Sequence, residues 1–316
     1  MRKAIFLLLL IILSFGCIEF GAEKELEPTQ DLGILRKGFV RGEIPIDSIV
    51  YFSVLVRNNR LGKEAKNIII SLENVYPFTV SECGEKDISP DAAREETGIV
   101  CLTGIFDLDE ELQHRQHGVS FMLPGEEIDF FWGLKAPTNL TIMDMVYDHT
   151  IYFTIEYEYE VSVLKKVFAM SYDEYYRRVT SGEKELRGEL TASAGAIKID
   201  TIIDEPARYD PGSPTEFTMV ITLENVGDGL LMPGSKLKLS IEHPEGVKPI
   251  DVNCTQRICD LGEISPGEII PQYMIAVRWK LDPTYEPVKV LSFWIRATYK
   301  YMLEDKAYVK VYPIKI

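Results

Sequence analysis

Histidine is scarce, at four residues in 316, and tryptophan scarcer, at three. No Gly-x-Ser-x-Gly, P-loop or dinucleotide fingerprint occurs, which removes the nucleophile and phosphate chemistries most readable in a sequence. The regular alternation of strand and helix patterns that a two-lobed solute receptor needs is also missing. Positive charge is in deficit: 34 Lys and Arg stand against 49 Asp and Glu, a net charge of −15. Such a surface repels phosphate backbones and anionic headgroups, so no nucleic-acid partner is expected. The apolar run Ala4–Leu13 has ten residues, short of the roughly 20 that cross a bilayer as a helix. What is present is aromatic and β-branched: 16 Tyr and 14 Phe, with many Val and Ile, favour strands. At 46% hydrophobic and 26% charged, the chain has enough apolar side chains for two folded domains.

Residues 1–16 read as an export signal. Arg2 and Lys3 precede the apolar run, and Ser14-Phe15-Gly16 leads to Cys17. Gly16 before Cys17 resembles a lipoprotein signal, whose cysteine becomes the lipidated N-terminus. Ser14 and Phe15 depart from the usual bacterial box and look like the looser boxes of archaeal surface lipoproteins. An uncleaved anchor from about Ala4 to Phe20 is the alternative. Both readings place the rest at the outer face of a cell membrane. Residues 17–33, polar and acidic with Pro28 and Gly33, read as a tether.

With Cys17 set aside, Cys83, Cys101, Cys254 and Cys259 fall two to each half. Outside a membrane an even count implies disulfides. A Cys83–Cys101 bridge closes about 19 residues, worth ~3 kcal/mol by chain entropy, and a Cys254–Cys259 bridge ~2 kcal/mol. The alternative, a metal site, needs two more ligands, and His243 alone does not supply them.

Two halves follow one plan, residues 34–170 and 195–316. Ser48–Arg57 and Thr215–Glu224 read as strands ending at Asn58-Asn59 and Asn225-Val226-Gly227. Asn67–Leu72 and Lys236–Ile241 follow as strands, then a cysteine pair. Next come Leu123-Pro124-Gly125-Glu126 and Ile264-Ser265-Pro266-Gly267-Glu268, where Pro-Gly predicts a type II turn with positive φ at glycine. Aromatic-rich strands Ile128–Leu134 and Tyr273–Leu281 end near Pro137 and Pro283. Each half then closes on a hairpin-like pair. Ile151 to Val163 alternates without a break. Leu291 to Tyr301 does the same, and Ala307, Val309 and Val311 return. About seven strands per half predict an all-β fold of two tandem β-sandwich domains.

The strand ending in Asn-x-Gly, the next strand and the Pro-Gly-Glu turn resemble immunoglobulin-like modules of prokaryotic surface proteins, the CARDB-type and S-layer-associated domains. Thr218–Gly227 with Pro266-Gly267-Glu268 fits best, whereas Asn58-Asn59-Arg60 lacks the glycine. The Trp and cysteine spacing of antibody domains is not present. The resemblance implies non-catalytic spacers, adhesion units or assembly contacts.

Between the halves, residues 171–194 pair Ser171 with Glu174 as a capping box, so Tyr172–Val179 is expected to be helical. Gly182, Gly188 and Gly195 then suggest a flexible run. His114 and His117 could share a helix face near Asp107–Glu111, but no second ligand pair supports a metal there. Glu156, Glu158 and Glu160 lie ~7 Å apart along one strand face, too far for a compact calcium shell. No cofactor is expected. Asn139-Leu140-Thr141 and Asn253-Cys254-Thr255 are candidate glycosylation sequons. Trp132, Trp294, Tyr172, Tyr175 and Tyr176 are the exposed-aromatic candidates for an interface with an envelope or surface protein. A carbohydrate or cation ligand, or a place as accessory subunit of an extracellular enzyme or transporter, is the alternative. Oligomeric state is not legible.

Overall fold

The computed structural model describes residues 27, 29–83, 100–101, 116–137, 146–184, 186–269 and 272–312. In chain order the strands of the first half are β1 (Leu32–Phe39), β2 (Glu43–Pro45), β3 (Ile49–Asn58), β4 (Ala65–Glu73), β5 (Thr79–Cys83), β6 (Val100–Cys101), β7 (Gln116–Met122), β8 (Glu127–Lys135) and β9 (Tyr147–Ser171). Helix α1 (Tyr172–Ser181) follows. The remaining strands are β10 (Leu190–Ala192), β11 (Ile197–Ile203), β12 (Ala207–Tyr209), β13 (Thr215–Asn225), β14 (Leu230–Leu231), β15 (Leu237–Glu242), β16 (Val247–Pro249), β17 (Cys254–Thr255), β18 (Ile258–Ile264), β19 (Tyr273–Leu281) and β20 (Val288–Tyr312).

The fold is all-β and sandwich-like. A four-stranded sheet β1-β3-β8-β5 and another, β11-β13-β19-β16, each cover part of one twelve-stranded sheet whose main path is β17-β18-β15-β20-β9-β4-β7-β6. Aromatic contacts mark both covers. Phe52 on β3 meets Phe153 on β9 at 5.8 Å, and Phe217 on β13 meets Phe293 on β20 at 6.2 Å. Their hydrophobic interiors form one continuous cluster.

Continuity comes from β9 and β20. Each is 25 residues long, and they pair antiparallel from Val288↔Met170 to Val311↔Tyr147. The expected closing hairpins are therefore corrected. The Leu291–Tyr301 and Ala307–Val311 segments are one uninterrupted strand, and its partner is the alternating strand of the other half. The alternation itself is as read: Ile151, Phe153, Ile155, Tyr157, Tyr159, Val161 and Val163 are all buried, as are Leu291, Phe293, Ile295, Ala297, Tyr299 and Tyr301.

The repeat holds at the level of individual bonds. Asn58 and Asn225 end equivalent strands because their side chains satisfy backbone that the ladder leaves unpaired. Asn58 Nδ2 donates to the carbonyls of Lys63 and Met122 at 2.9 and 2.7 Å, and Asn225 Nδ2 donates to Gly229 O at 3.1 Å. The hydroxyls of Tyr159 and Tyr301 accept from the N–H groups of Lys63 and Gly229 at 2.7 and 3.1 Å. Both Pro-Gly-Glu turns are closed by the glutamate itself. Leu123 N–H donates to Glu126 Oε2 at 2.8 Å, and Ser265 N–H donates to Glu268 Oε2 at 2.6 Å. Only the first has the expected backbone: Gly125 has φ 81°. The second continues as a 3₁₀ turn, Pro266–Ile269, which needs negative φ at Gly267 and buries Ile269.

Residues 171–194 are also tighter than expected. Ser171 caps α1 by accepting from Glu174 N–H at 3.3 Å. The return arm of the capping box is missing, because the Glu174 carboxylate binds Arg177 and Arg178 instead. Gly182 is the left-handed C-cap at φ 71°. Gly188 lies so close to the Lys166 carbonyl that a Cβ would overlap it. β10 then pairs with β9.

Candidate interaction surface

One face of the β9–β20 ladder is core, and the other is open. On the open side Leu164 lies across from Trp294, and Phe168 across from Val290. Trp294 is 40% exposed and Val290 50%, while Leu164 and Phe168 are half-buried. Strand parity dictates this arrangement. Trp294 alternates with buried Phe293 and Ile295, and Phe168 with buried Val167 and Ala169. An open groove of about 870 Å³ lies at the Phe168–Val290 end of the strip. Phe168, Leu186 and Val290 are its apolar lining, and Lys166, Lys184 and Arg187 its basic one. Lys166 pairs with Glu189 at 3.3 Å.

Trp294 is held rather than loose. The Arg296 guanidinium lies 5.4 Å from its ring centre and reaches Glu242 at 3.3 Å. Next to the far end of the strip, α1 buries no residue. Tyr172, Tyr176 and Val179 are exposed, and Tyr172 stacks on Tyr176 at 6.4 Å. Tyr175 is half-buried and sits under Arg208, 5.2 Å from ring to guanidinium.

Trp132 does not belong with these aromatics and is corrected. It is fully buried, stacked on Phe52 at 5.7 Å and edge-on to His117 at 4.6 Å. Its parity on β8 matches Ile128, Phe130 and Leu134, all buried. Trp279 is its counterpart in the second half, between Phe293 at 5.0 Å and His243 at 5.7 Å.

Among the other sequence candidates, Cys254 and Cys259 are bonded to each other, directly opposite on β17 and β18. The backbone sets Cys83 opposite Trp132 and Cys101 opposite His117, and the side chains of that pair lie outside the described residues. So do Cys17, Asn139 and His114. Asn253 is exposed. His117 lies on β7 and not on a helix.

His117 and His149 are used structurally. His117 Nε2 and His149 Nε2 each lie 2.8 Å from a backbone carbonyl, of Phe131 and Asn74. Burial pushes both imidazoles below their ordinary pKa.

A polar cluster that sequence reading missed lies where the halves meet. Asp31, 1% exposed, accepts from Ala196 N–H at 2.6 Å and from the Tyr299 hydroxyl at 2.8 Å. The Tyr157 hydroxyl is at 3.4 Å. Desolvation raises the Asp31 carboxyl to about 7, with the N–H and hydroxyl bonds opposing the rise. Asp31 and Ala196 are equivalent by the repeat: each precedes the first strand of its half, and each carbonyl accepts from the residue after Asn58 or Asn225.

No helix among the described residues is long and apolar enough to cross a membrane. No protein-family model matches the chain, and no curated protein matches it. Solved structures give weak likenesses. A type II cohesin dyad from the adaptor ScaA scaffoldin of Acetivibrio cellulolyticus is 8% identical with a TM-score of 0.21, over 80% of this chain and 86% of that one. The Enterococcus faecalis MSCRAMM ACE, described as binding its ligands by the collagen hug model, is 7% identical with a TM-score of 0.16, over 92% and 98%. The collagen adhesin CNA of S. aureus is 9% identical with a TM-score of 0.14, over 91% and 95%. At these scores the likenesses carry no argument about this chain.

Proposed function

We propose that this is a non-catalytic protein held at the outer face of a cell membrane through Cys17 or the apolar segment before it, and that it binds an envelope or surface protein through the open face of the β9–β20 ladder. The observation that supports this reading is the apolar strip of exposed Trp294 and Val290 with half-buried Leu164 and Phe168, in a chain whose other two tryptophans are fully buried. A large, ordered, exposed aromatic on an apolar strip is what a protein interface core needs. Arg296 covers one face of the Trp294 ring and holds the indole in place for a partner to meet the other. Pull-down from detergent-solubilised membranes with the Trp294→Ala chain tests it. Recovery of the main partner is expected to fall roughly thirty-fold, with the melting temperature within about 2 °C of the parent. Undiminished recovery removes this face from the proposal.

A further inference from the structure

One end of the second sandwich gathers three donor side chains. His243 immediately follows β15, and its N–H donates to Arg257 O at 3.0 Å. Cys259 pairs with Ile241 on the same strand, and Cys254 lies directly opposite Cys259. A ring nitrogen of His243 and the two Sγ atoms all lie within 4.8 Å of one another. His243 and Cys259 are buried and Cys254 is half-buried.

His243 is also oriented. Its Nδ1 lies 3.1 Å from Pro244 O. A carbonyl only accepts, so Nδ1 carries the proton and Nε2 the lone pair, the outer-shell arrangement that fixes a metal-ligating imidazole. Trp279 packs against the ring at 5.7 Å. In the oxidised state the sulfurs are tied up with each other, and thiolate is the form that binds metal.

We propose that reduction of the Cys254–Cys259 bond by a dithiol converts this hairpin end into a zinc site with His243, Cys254 and Cys259 as ligands and the fourth position open to water. Two electrons and two protons pass from the dithiol to the disulfide. The S–S bond breaks to two thiols, and the dithiol closes to its own disulfide. Zinc entry then displaces the two thiol protons, and the two thiolates neutralise the dication. Tetrahedral bonds of ~2.3 Å to sulfur and ~2.0 Å to nitrogen set the ligand atoms roughly 3.5–3.8 Å apart, so the three donors, all within 4.8 Å of one another, reach that spacing by side-chain rotation once the disulfide is open. Rotation of the cysteine side chains separates the sulfurs. Disulfide and metal exclude each other, so the site answers to the redox state of its surroundings.

Cobalt(II) is the probe, added to the full chain before and after reduction with a phosphine, which introduces no thiolate of its own. The reduced chain is expected to show thiolate-to-cobalt charge transfer and the visible bands of a tetrahedral ion at one equivalent, bleached by zinc. The oxidised chain is expected to show neither. His243→Ala keeps every cysteine, so any signal from Cys17, Cys83 or Cys101 persists in it; the proposal expects that variant to lose the one-equivalent signal or to bind roughly 100-fold more weakly. His243→Gln, closer in volume, serves if His243→Ala does not fold. A reduced chain without charge transfer, or a spectrum and affinity unchanged by removal of His243, overturns the assignment.

Discussion

The buried carboxylate at the junction makes a signed prediction about pH. Asp31 is raised from 3.8 to about 7 by burial. An unfolded chain ionises this residue from about pH 4 upward, whereas the folded chain keeps it neutral until about pH 7. The raised pKa therefore contributes stability that is fully present below 3.8 and lost as pH climbs through about 7. At 1.36 kcal/mol per pH unit, the loss across that interval is about 4 kcal/mol. The groups around Asp31 do not blur the effect: burial raises Tyr157, Tyr159, Tyr299 and Tyr301 above the ordinary phenol range, so none ionises near neutrality. Asp31→Asn cannot ionise but keeps an oxygen for Ala196 and Tyr299. Urea unfolding of both chains at pH 5 and pH 8 isolates the term, because every other titrating group is shared. Between those pH values the variant is expected to gain about 3 kcal/mol on the parent. Parallel pH dependence of the two chains refutes the reasoning, since it would mean that Asp31 is solvated or already charged.

Other residues give equally definite expectations. Burial lowers His149, so its contribution has the opposite sign: present above 6.5 and lost as pH falls through the lowered value. His149→Gln should flatten the acid limb of the stability curve below pH 6.5, as read by thermal melts from pH 4.5 to 7. Lys165 and Glu205 form a buried ion pair, 7% exposed at the lysine. Lys165→Ala leaves the Glu205 carboxylate without that partner and should cost about 3–5 kcal/mol in urea unfolding, most of it recovered by adding Glu205→Gln.

Much of the strand pattern was legible because a half-buried strand has a period of two. Ile151 to Val163 and Leu291 to Tyr301 show it, and the structure buries every residue of both sets. Their pairing with each other was not legible, since alternation marks a face and says nothing about the neighbour along the edge. Trp132 was readable and missed: it shares parity with Ile128, Phe130 and Leu134, so its place in the core followed from the same rule that exposes Trp294. The strip had a signal as well. After Val163 the alternation breaks, and Leu164 and Phe168 put apolar side chains on the face that Glu156, Glu158 and Glu160 keep polar. Asp31 had none, because one acid in an acidic segment looks like any other until tyrosines 126 and 268 residues away close on it.

The central claim is that the open face of the shared ladder binds a protein at the cell surface, and site-directed photo-cross-linking on intact cells tests it most directly. A photo-reactive residue at Val290 sits on that face; one at Ala276, exposed on β19, is the control. The account predicts one recurrent envelope-protein adduct from position 290 and not from 276. No adduct at 290, or the same mixture at both positions, would contradict it.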